Sequence, residues 1–488
     1  MHMSDQTVAR IGLFGVAHEP YWAQFPGLFE SLSGYHAQIE RKLAAQGDFV
    51  LDLGIIDSSP AAYEAAKKLR AADLDMVFVD MTTYATSSVF APILRDCGLP
   101  LVLLALQPRA GLDYTIANTR MQLENDNICS VPEFMNVSLR YGRPVEDVVI
   151  GTLVADPFVE HEIERWLRVA RVLRALKGAR LGLMGHVLEA MYDMHADPTA
   201  LSAAFGVHVP LLEIDDLAED YDRVTEGEIR EQIVRIEALF DMPDPKSDPV
   251  TKKLTKEDLF QSARSAAALD RFVTRFSLTG LAYYYGGRPG SVQRDVAASL
   301  IVGNTLLQAR GFPMCGEYDI KTCLAMFIMD RLGIGGSFAE LHPFDFDGDF
   351  ILIGHDGPHH MGIAQGRPAL RSLTHYHGKP GHGASVEFKI KEGPITMLGI
   401  TQTHAGTFKF IVGEGMSCAG PIPPTGNTNT RARFSPDTRT FIHDWVMEGP
   451  THHIALGIGH FAEEIRRVAH ALGIACVVVE IRENRTRS

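Results

Sequence analysis

The sequence predicts an α/β protein with two doubly wound parallel-sheet domains in tandem, followed by a C-terminal antiparallel β-barrel domain. Apolar runs alternate with amphipathic helical segments through the first third of the chain. The same alternation restarts near residue 178. After about residue 336, short strand-like runs with frequent Gly and Pro replace it. The predicted domains are therefore 1–177, 178–335 and 336–488.

The first predicted domain is an alternation of buried strands and surface helices. Four runs read as strands: "RIGLFGV", "FVLDLGII", "MVFVDM" and "LPLVLLAL". They are continuously apolar, as expected of parallel strands that are covered on both faces. The segments "FESLSGYHAQIERKLAAQG", "SPAAYEAAKKLRAAD" and "HEIERWLRVARVLRALKG" have helical periodicity. This pattern is typical of a Rossmann-like domain.

The second and third predicted domains differ in texture. "ARLGLMG" begins the second with a strand, and a helix is expected to start at Asp197 or Pro198. "FSLTGLAYYYGG" predicts a further strand there. In the third, "FILIG", "SVEFKI" and "ITMLGITQTHAGTFKFIVGEG" indicate antiparallel strands. A helix, "FAEEIRRVAHALG", and a strand, "IACVVVEI", close the chain.

Charge and composition exclude several classes of protein. Lys+Arg 46 against Asp+Glu 60 gives a formal net charge of −14, which argues against nucleic acid or an anionic membrane as partner. No apolar run is long enough to span a membrane, and the first residues lack the pattern of a signal peptide. Six cysteines without a CxxC pair suit a reducing compartment. We expect a cytoplasmic protein.

Histidines concentrate in the last third of the chain, beside carboxylates. Thirteen of the twenty lie between His342 and His470. Glu317 stands just before a predicted helix, where a carboxylate can also act simply as a helix cap. Glu340 is expected in a loop that starts with glycines, and His355 at the carboxyl end of the strand "FILIG".

The stretch "GPTHHIALGIGH" raises a geometric question. Adjacent side chains such as His452 and His453 cannot easily serve one centre, because they point about 100° apart on a helix and oppositely on a strand. Two glutamates and two histidines together would form an oxygen and nitrogen site for a divalent ion. Such a site suits Mn²⁺, Co²⁺ or Mg²⁺ better than structural zinc. No short-range spacing marks these residues as one site, so the pattern leaves this open.

Three motifs, in order along the chain, resemble segments of the L-arabinose isomerase and L-fucose isomerase superfamily, closer to its arabinose branch. "GEYDIKT" resembles that family's "GEGDWKT", and "GGSFAELHPFDFDGDFILIGH" resembles its "GGTSFMEDYTYHF…LVLGSH" segment. "WVMEGPTHHIAL" resembles its "WILAGGAHHTVF". The resemblance runs through most of the chain and is strongest after residue 300.

The resemblance implies a metal-dependent aldose–ketose isomerase that works through an ene-diol, with Mn²⁺ as the first expected metal. The implied metal ligands are Glu317, Glu340, His355 and the second of the paired histidines, His453. The two glutamates are implied as the acid/base pair, and His452 is left to orient the loop or to touch the sugar substrate. The resemblance also implies a homo-oligomer, a trimer or hexamer, with active sites between subunits.

One departure from the family pattern concerns the substrate. Where arabinose isomerases have a segment like "LNQTAHGGREFG", this chain has "LENDNICSVPEFM", which puts Cys129 in place of a histidine and keeps Glu133. A thiol is a far weaker hydrogen-bond partner than imidazole, so the sugar is left undetermined. Further substrate-binding candidates, for which core packing is the alternative role, are Tyr21, Trp22, Met191 and Tyr192.

Two other functions compete with the isomerase. Tandem doubly wound domains also suit a non-catalytic sugar-binding or regulatory protein, although all four implied ligands are present. A metal-dependent hydrolase could use the cluster "HDGPHH", in which case His359 and His360 would be essential and Glu317 dispensable.

Overall fold

The chain folds into two compact units whose boundary falls between Ala175 and Leu176. The computed structural model describes residues 7–187, 191–244, 246, 254–288, 290–357, 359–372 and 383–479. The predicted α/β class is confirmed, with two parallel sheets and a closed antiparallel barrel. The division into three domains at 177 and 335 stays a prediction.

The first unit contains a five-stranded parallel sheet in the order β2-β1-β3-β4-β5. Its strands are β1 (Arg10–Val16), β2 (Phe49–Ile56), β3 (Met76–Asp80), β4 (Leu101–Gln107) and β5 (Asp147–Thr152). Its helices are α1 (Tyr21–Gln24), α2 (Leu28–Ala44), α3 (Ser59–Ala71), α4 (Ala91–Cys97), α5 (Thr119–Leu123), α6 (Val131–Tyr141) and α7 (Pro157–Lys177), the last of which runs across the boundary. Strands β3 and β4 are buried almost throughout, as their apolar runs predict.

The second unit begins with a four-stranded parallel sheet in the order β7-β6-β8-β9. Its strands are β6 (Leu181–Met184), β7 (Leu211–Leu212), β8 (Gly280–Tyr283) and β9 (Met314–Cys315). Its helices are α8 (Pro198–Phe205), α9 (Ile214–Asp222), α10 (Glu226–Leu239), α11 (Lys256–Arg275), α12 (Val292–Ala298), α13 (Ile301–Gln308) and α14 (Ile320–Arg331). Helix α8 starts as predicted, since the Asp197 side chain accepts a hydrogen bond from the Thr199 amide at 2.8 Å.

The same unit continues into an antiparallel barrel of six strands in the order β14-β17-β10-β11-β16-β15, which a β14–β15 pairing closes. The remaining strands are β10 (Gly335–Asp345), β11 (Phe350–His355), β12 (Ala369–Ser372), β13 (Ala384–Glu387), β14 (Gly393–Gln402), β15 (Phe408–Cys418), β16 (Thr428–Arg433), β17 (Ile454–Ile458) and β18 (Ala475–Val478). Helices α15 (Thr438–Met447) and α16 (Ala462–Ala471) complete the unit.

Helix α14 is the buried link between the small sheet and the barrel. It is buried from Ile320 to Met329 and contacts β8 and β6 as well as β10, β14 and β17. A helix that is apolar on all sides needs such complete cover. Helix α14 contacts both the small sheet and the barrel, and its first side chains therefore lie beside the barrel strands. None of the helices in the described ranges combines the length and apolar character that a membrane crossing requires.

Two local expectations are wrong. Glu340 lies in strand β10 and not in a loop, since Gly335 and Gly336 begin a strand that pairs with β11 and β17. The stretch "IALGI", which follows the histidine pair, forms strand β17 where no strand was expected, and the pair itself lies in the loop before it. In both places, pairing with distant strands decides the local structure.

Candidate metal centre

Glu317 is presented by a tight turn between β9 and α14. Both Glu317 (φ 58°) and Tyr318 (φ 66°) adopt the left-handed conformation, which non-glycine residues rarely take. The turn is held because the Tyr318 amide donates to the Tyr283 carbonyl at 2.9 Å and the Asp319 amide donates to the Gly316 carbonyl at 3.1 Å. Strain of this kind concentrates at functional sites, where the surroundings fix one conformation. The turn leaves the Glu317 carboxylate buried beside the barrel.

The register of the barrel brings three further side chains to one place. Strand β11 pairs with β10 from Glu340 to Asp345, whereas β17 pairs with β10 from Gly335 to Ala339. The end of β11, at His355, and the residue before β17, at His453, therefore flank Glu340. A glycine precedes His355 for a steric reason, because a Cβ on Gly354 would lie 1.9 Å from the Thr428 carbonyl oxygen.

His453 is fully buried and held from one side only. Its Nδ1 lies 3.1 Å from Asp319 Oδ2, and its Nε2 lies 3.5 Å from Glu317 Oε2. Among the described residues, Nε2 has no hydrogen-bond partner. The carboxylate of Asp319 favours the tautomer that carries the proton on Nδ1, which leaves a lone pair on Nε2 directed toward Glu317. A buried ring nitrogen without a partner is the arrangement that a bound cation would satisfy.

Asp319 was not among the residues predicted for the site. It is fully buried, caps α14 through the Thr322 amide at 3.1 Å, and accepts from the Thr322 hydroxyl at 2.8 Å. Burial alone would raise the pKa of Asp319, but the hydrogen bond from His453 and the positive charge of Lys321 lower it overall. The motif Asp-x-x-Thr before an apolar helix is the signal that could have marked it.

His355 and Glu340 carry the remaining donors. His355 Nδ1 lies 3.0 Å from Asp356 Oδ1, and its Nε2 lies 3.9 Å from Glu340 Oε2. Burial alone lowers the pKa of His355, but Asp356 and then Glu340 and Glu317 raise it to about 8. Burial alone raises the pKa of Glu340, yet the hydrogen bond with His452 and the nearby imidazoles lower it to about 2. Glu340 is therefore an ionised carboxylate at neutral pH.

The donor atoms of these side chains form two overlapping groups. One atom each of Glu317, His355 and His453 lies within 4.8 Å of the others, and all three residues are buried. Glu340, His452 and His453 form the second group by the same measure. Carboxylate oxygen and imidazole nitrogen are donors that fit a divalent cation. The orphaned Nε2 of His453 agrees with that fit.

The two adjacent histidines point to different partners, as their alternation predicts. His452 Nε2 lies 2.6 Å from Glu340 Oε2, and 48% of its side chain is exposed. Its backbone N–H donates to Asp193 Oδ2 at 2.7 Å. His460 behaves as a structural residue, since its Nε2 lies 3.2 Å from the Gly415 carbonyl.

The predicted pocket residues Met191 and Tyr192 precede the aspartate that holds His452. Tyr192 is 84% exposed and Met191 is half-buried. Lys321, which is 1% exposed, donates to the carbonyls of Asp193 at 2.8 Å and of His195 at 3.0 Å. This short segment is thus tied to both α14 and the histidine pair.

The other predicted substrate residues belong to the first unit. Tyr21 and Trp22 pack against the cluster of Leu28, Leu32 and Leu123, and Trp22 Nε1 donates to Asp57 Oδ2 at 2.8 Å. Cys129 is exposed just before α6. Glu133 accepts a hydrogen bond from the Ser87 amide at 2.7 Å. A substrate role for these four residues stays a prediction.

The histidines of "HDGPHH" that a hydrolase would use lie outside both donor groups. His359 is fully buried, and no described residue bonds either ring nitrogen. Burial and the neighbouring His355 lower the pKa of His359 to about 3, so its ring is neutral. His360 Nε2 lies 3.1 Å from Asp330 Oδ1.

A cavity of about 250 Å³ opens beside Glu317 and His355. Tyrosines, glycines and alanines make up most of its wall, and Phe338 and Ile301 contribute apolar surface. The cavity gives a small molecule access to two of the three grouped donors. Its lining residues are Tyr283, Tyr284, Tyr285, Gly286, Gly287, Arg294, Ala297, Ala298, Ile301, Gly316, Glu317, Phe338, His355, Asp356 and Gly357.

Comparison with known proteins gives two matches. Residues 356–480 match the family model described as L-fucose isomerase, C-terminal domain. The chain is 27% identical over 418 residues to the L-arabinose isomerase of Nocardioides sp., covering 82% of this chain and 79% of that protein. It is 23% identical over 416 residues to the L-arabinose isomerase of Anoxybacillus flavithermus, with the same coverage. The predicted resemblance to the L-arabinose isomerase and L-fucose isomerase superfamily is therefore confirmed.

Proposed function

We propose that this protein is a divalent-metal-dependent aldose–ketose isomerase that acts on an open-chain sugar through an ene-diol. One observation carries the proposal. Three buried donors from separate segments, Glu317, His355 and His453, converge to within 4.8 Å, with His453 Nε2 unpartnered among the described residues. The names of the relatives, L-arabinose isomerase, support the same class of reaction.

The proposed chemistry assigns a role to each residue type. When bound, a divalent ion supplies a Lewis acid that polarises the sugar carbonyl. Glu317, His355 and His453 would hold it, with Glu340 as the fourth ligand. Isomerisation moves a proton between C1 and C2, so one glutamate takes a proton while the other gives one. We assign Glu317 and Glu340 to that pair without ordering them.

Neighbouring residues would keep these donors in place. Asp319 holds the proton of His453 on Nδ1, so that Nε2 stays free to ligate. His452, 2.6 Å from Glu340, orients that carboxylate while remaining half-exposed. A bound metal requires the imidazoles of His355 and His453 in the neutral form, in which they would add no negative charge to a site that already has two carboxylates.

The proposal extends to several properties of the protein. We propose Mn²⁺ as the metal to test first, with Co²⁺ and Mg²⁺ next. We also propose a cytoplasmic homo-oligomer, a trimer or hexamer, with active sites at subunit interfaces, and Tyr21, Trp22, Cys129 and Glu133 as further substrate-binding residues.

Substitution of the two glutamates tests the proposal. The Mn²⁺-loaded protein is incubated with a panel of aldoses and ketoses, and the products are resolved by chromatography. We expect Glu317→Gln and Glu340→Gln each to lower kcat by roughly 10²- to 10⁴-fold, the usual contribution of an acid or base. The matched control is Glu387→Gln, which changes a largely buried glutamate that pairs with Arg371 at 2.9 Å outside both donor groups.

Three outcomes would contradict the proposal. Full turnover in both glutamine variants would remove the acid/base pair. Activity and melting temperature that do not respond to EDTA, or to Mn²⁺ added back, would remove the metal. If the wild-type protein converts no sugar of the panel, the non-catalytic sugar-binding function is favoured instead.

A further inference from the structure

The cavity beside the proposed metal centre has one cationic side chain of Lys or Arg type among its described lining residues, that of Arg294. Arg294 lies on α12 and is half-buried. Its backbone N–H donates to the Ser291 hydroxyl at 3.3 Å. None of the described residues forms an ion pair or a hydrogen bond with its guanidinium group. Arg294 therefore lines the cavity, and its charge has no partner among the described residues.

Two other arginines of the same unit are paired with carboxylates. Arg271 contacts Glu228 at 2.7 and 3.0 Å, and the buried Arg371 contacts Glu387 at 2.9 Å. Guanidinium groups that lose part of their hydration are normally paired in this way, because planar carboxylates and phosphates match their geometry. Arg294 departs from that pattern at a cavity wall, where a ligand can supply the missing anion.

The carboxylates that line the same cavity are engaged elsewhere. Asp356 contacts His355 Nδ1 at 3.0 Å, and Glu317 lies 3.5 Å from His453 Nε2. Neither forms an ion pair with Arg294. Arg294 and two of the grouped donors thus line one cavity, and the tyrosines and alanines that also line it carry no charge.

The loop after β8 packs closely against the backbone of Arg294. A Cβ on Gly287 would lie 3.0 Å from Arg294 Cβ and 3.3 Å from its Cα. Any larger residue would push the segment after β8 away from α12. Gly287 therefore allows the loop after β8 and helix α12 to pack together, and Gly287 and Arg294 both line the cavity.

We infer that the substrate of the proposed isomerase is an acidic sugar, with a carboxylate or phosphate at the end remote from its carbonyl, and that Arg294 binds this anion. The inference rests on the proposed function, since the donor group would take the carbonyl end. A sugar bound at both ends has its C1 and C2 fixed relative to the two glutamates. Arg294 is then a specificity-determining residue for an anionic substrate.

The experiment compares acidic and neutral sugars in the Mn²⁺-loaded protein. The panel pairs D-glucuronate and D-galacturonate with D-glucose and D-galactose, and D-ribose 5-phosphate with D-ribose, so that carboxylate and phosphate are distinguished. The variants are Arg294→Met, Arg294→Lys and the control Arg288→Met, an exposed arginine that does not line the cavity. Melting temperatures check that each variant is folded.

We expect the wild type to have a higher kcat/KM for an acidic sugar than for its neutral counterpart. Arg294→Met should lower the ratio of the two roughly 10- to 100-fold, mainly through KM, because a charged hydrogen-bonding partner is lost. Arg294→Lys should retain part of the ratio, and Arg288→Met should retain all of it. Preference for the neutral sugar in the wild type, or an equal loss for both sugars in Arg294→Met, overturns the inference while the isomerase stands.

Binding separates failure of this inference from failure of the proposed function. If no sugar is isomerised, the proposed function fails, and isothermal titration with D-glucuronate and with D-ribose 5-phosphate decides the anion site alone. Binding by the wild type that Arg294→Met abolishes supports the site. Equal binding in both proteins, or none in either, overturns it.

Discussion

Asp319→Asn tests how far the buried carboxylate behind His453 prepares that ring to bind a cation. In the wild type, Asp319 Oδ2 lies 3.1 Å from His453 Nδ1, on the far side of the ring from Glu317. Asparagine keeps the size of the side chain and ranks with aspartate as a helix cap. It replaces an acceptor of full charge by a neutral amide, so the ring loses both its fixed tautomer and part of its basicity.

The expected effect follows from the single contact that changes. Loss of a carboxylate behind a metal-binding histidine typically lowers metal affinity about 10- to 100-fold. At about 1.36 kcal/mol per tenfold change, this is about 1.4 to 2.7 kcal/mol of binding free energy. The cap of α14 should survive, because the Thr322 amide, 3.1 Å from Asp319 Oδ1, can still donate to an amide oxygen.

Titration of Mn²⁺ against a competing chelator measures this loss, and urea unfolding of the metal-free proteins measures stability. Asp437→Asn is the matched control, because Asp437 caps α15 with the same Asp-x-x-Thr motif. It accepts from the Thr440 amide and from the Thr440 hydroxyl, both at 2.8 Å. Affinity that is unchanged in Asp319→Asn, or lowered equally in Asp437→Asn, would refute the role given to Asp319.

Two further predictions concern stability. Burial alone lowers the pKa of His36, but hydrogen bonds with Asp52 at 3.0 Å and Asp80 at 2.8 Å raise it to about 9. The folded-state pKa of His36 lies above the value of about 6.5 in the unfolded chain, so the charged ring should stabilise the protein by about 3 kcal/mol below pH 6.5. This stabilisation should be lost as the pH rises through about 9. The second prediction concerns Lys321→Met, which leaves the carbonyls of Asp193 and His195 without their hydrogen-bond donor. The free energy of unfolding should therefore fall by about 2 kcal/mol, and the backbone amides near Asp193 should exchange faster.

These two predictions have simple controls. For His36, the difference in unfolding free energy between wild type and His36→Gln is measured from pH 6 to pH 10, so that other titrating groups cancel. Complete burial raises the pKa of Asp80, so the proton that is lost near pH 9 belongs to the pair of His36 and Asp80. A difference that does not shrink toward pH 10 contradicts the ion pair. For Lys321, the hydrogen bonds to the carbonyls of Asp193 and His195 are contradicted if amide exchange near Asp193 in Lys321→Met matches that of the wild type. Lys321→Arg should retain part of the protection from exchange.

The sequence predicts most of the first sheet because local pattern decides it. The runs "RIGLFGV" and "FVLDLGII" coincide with β1 and β2 residue for residue. Each is a continuous apolar or β-branched run bounded by polar residues, and parallel pairing asks for little more. The barrel is different, since strand β10 depends on partners that lie about 120 residues further along the chain, as in the pairing of Ser337 with Leu456. Glu340 was for that reason expected in a loop.

The candidate site could be predicted only in part, again for a reason of distance along the chain. The resemblance to known isomerases supplied Glu317, His355 and His453, which the structure brings together. Spacing along the sequence could not identify these residues as one site, because the register of β10 against β11 and β17 determines how close they come. Asp319 and Arg294 were missed, since neither an Asp-x-x-Thr cap nor a single arginine points to a cavity until the fold places it there.

The paired histidines are the clearest case in which local geometry and long-range register act together. In the loop just before β17, His453 lies in the interior and His452 stays half-exposed. The offset pairing of β10 then sets Glu340 beside both of them, so one carboxylate can serve the buried ring or the exposed one. A single histidine could not do both. With one ring nitrogen on Asp319 and the other on Glu340, it would have no nitrogen left to bind a metal. The site therefore needs two adjacent histidines because they diverge.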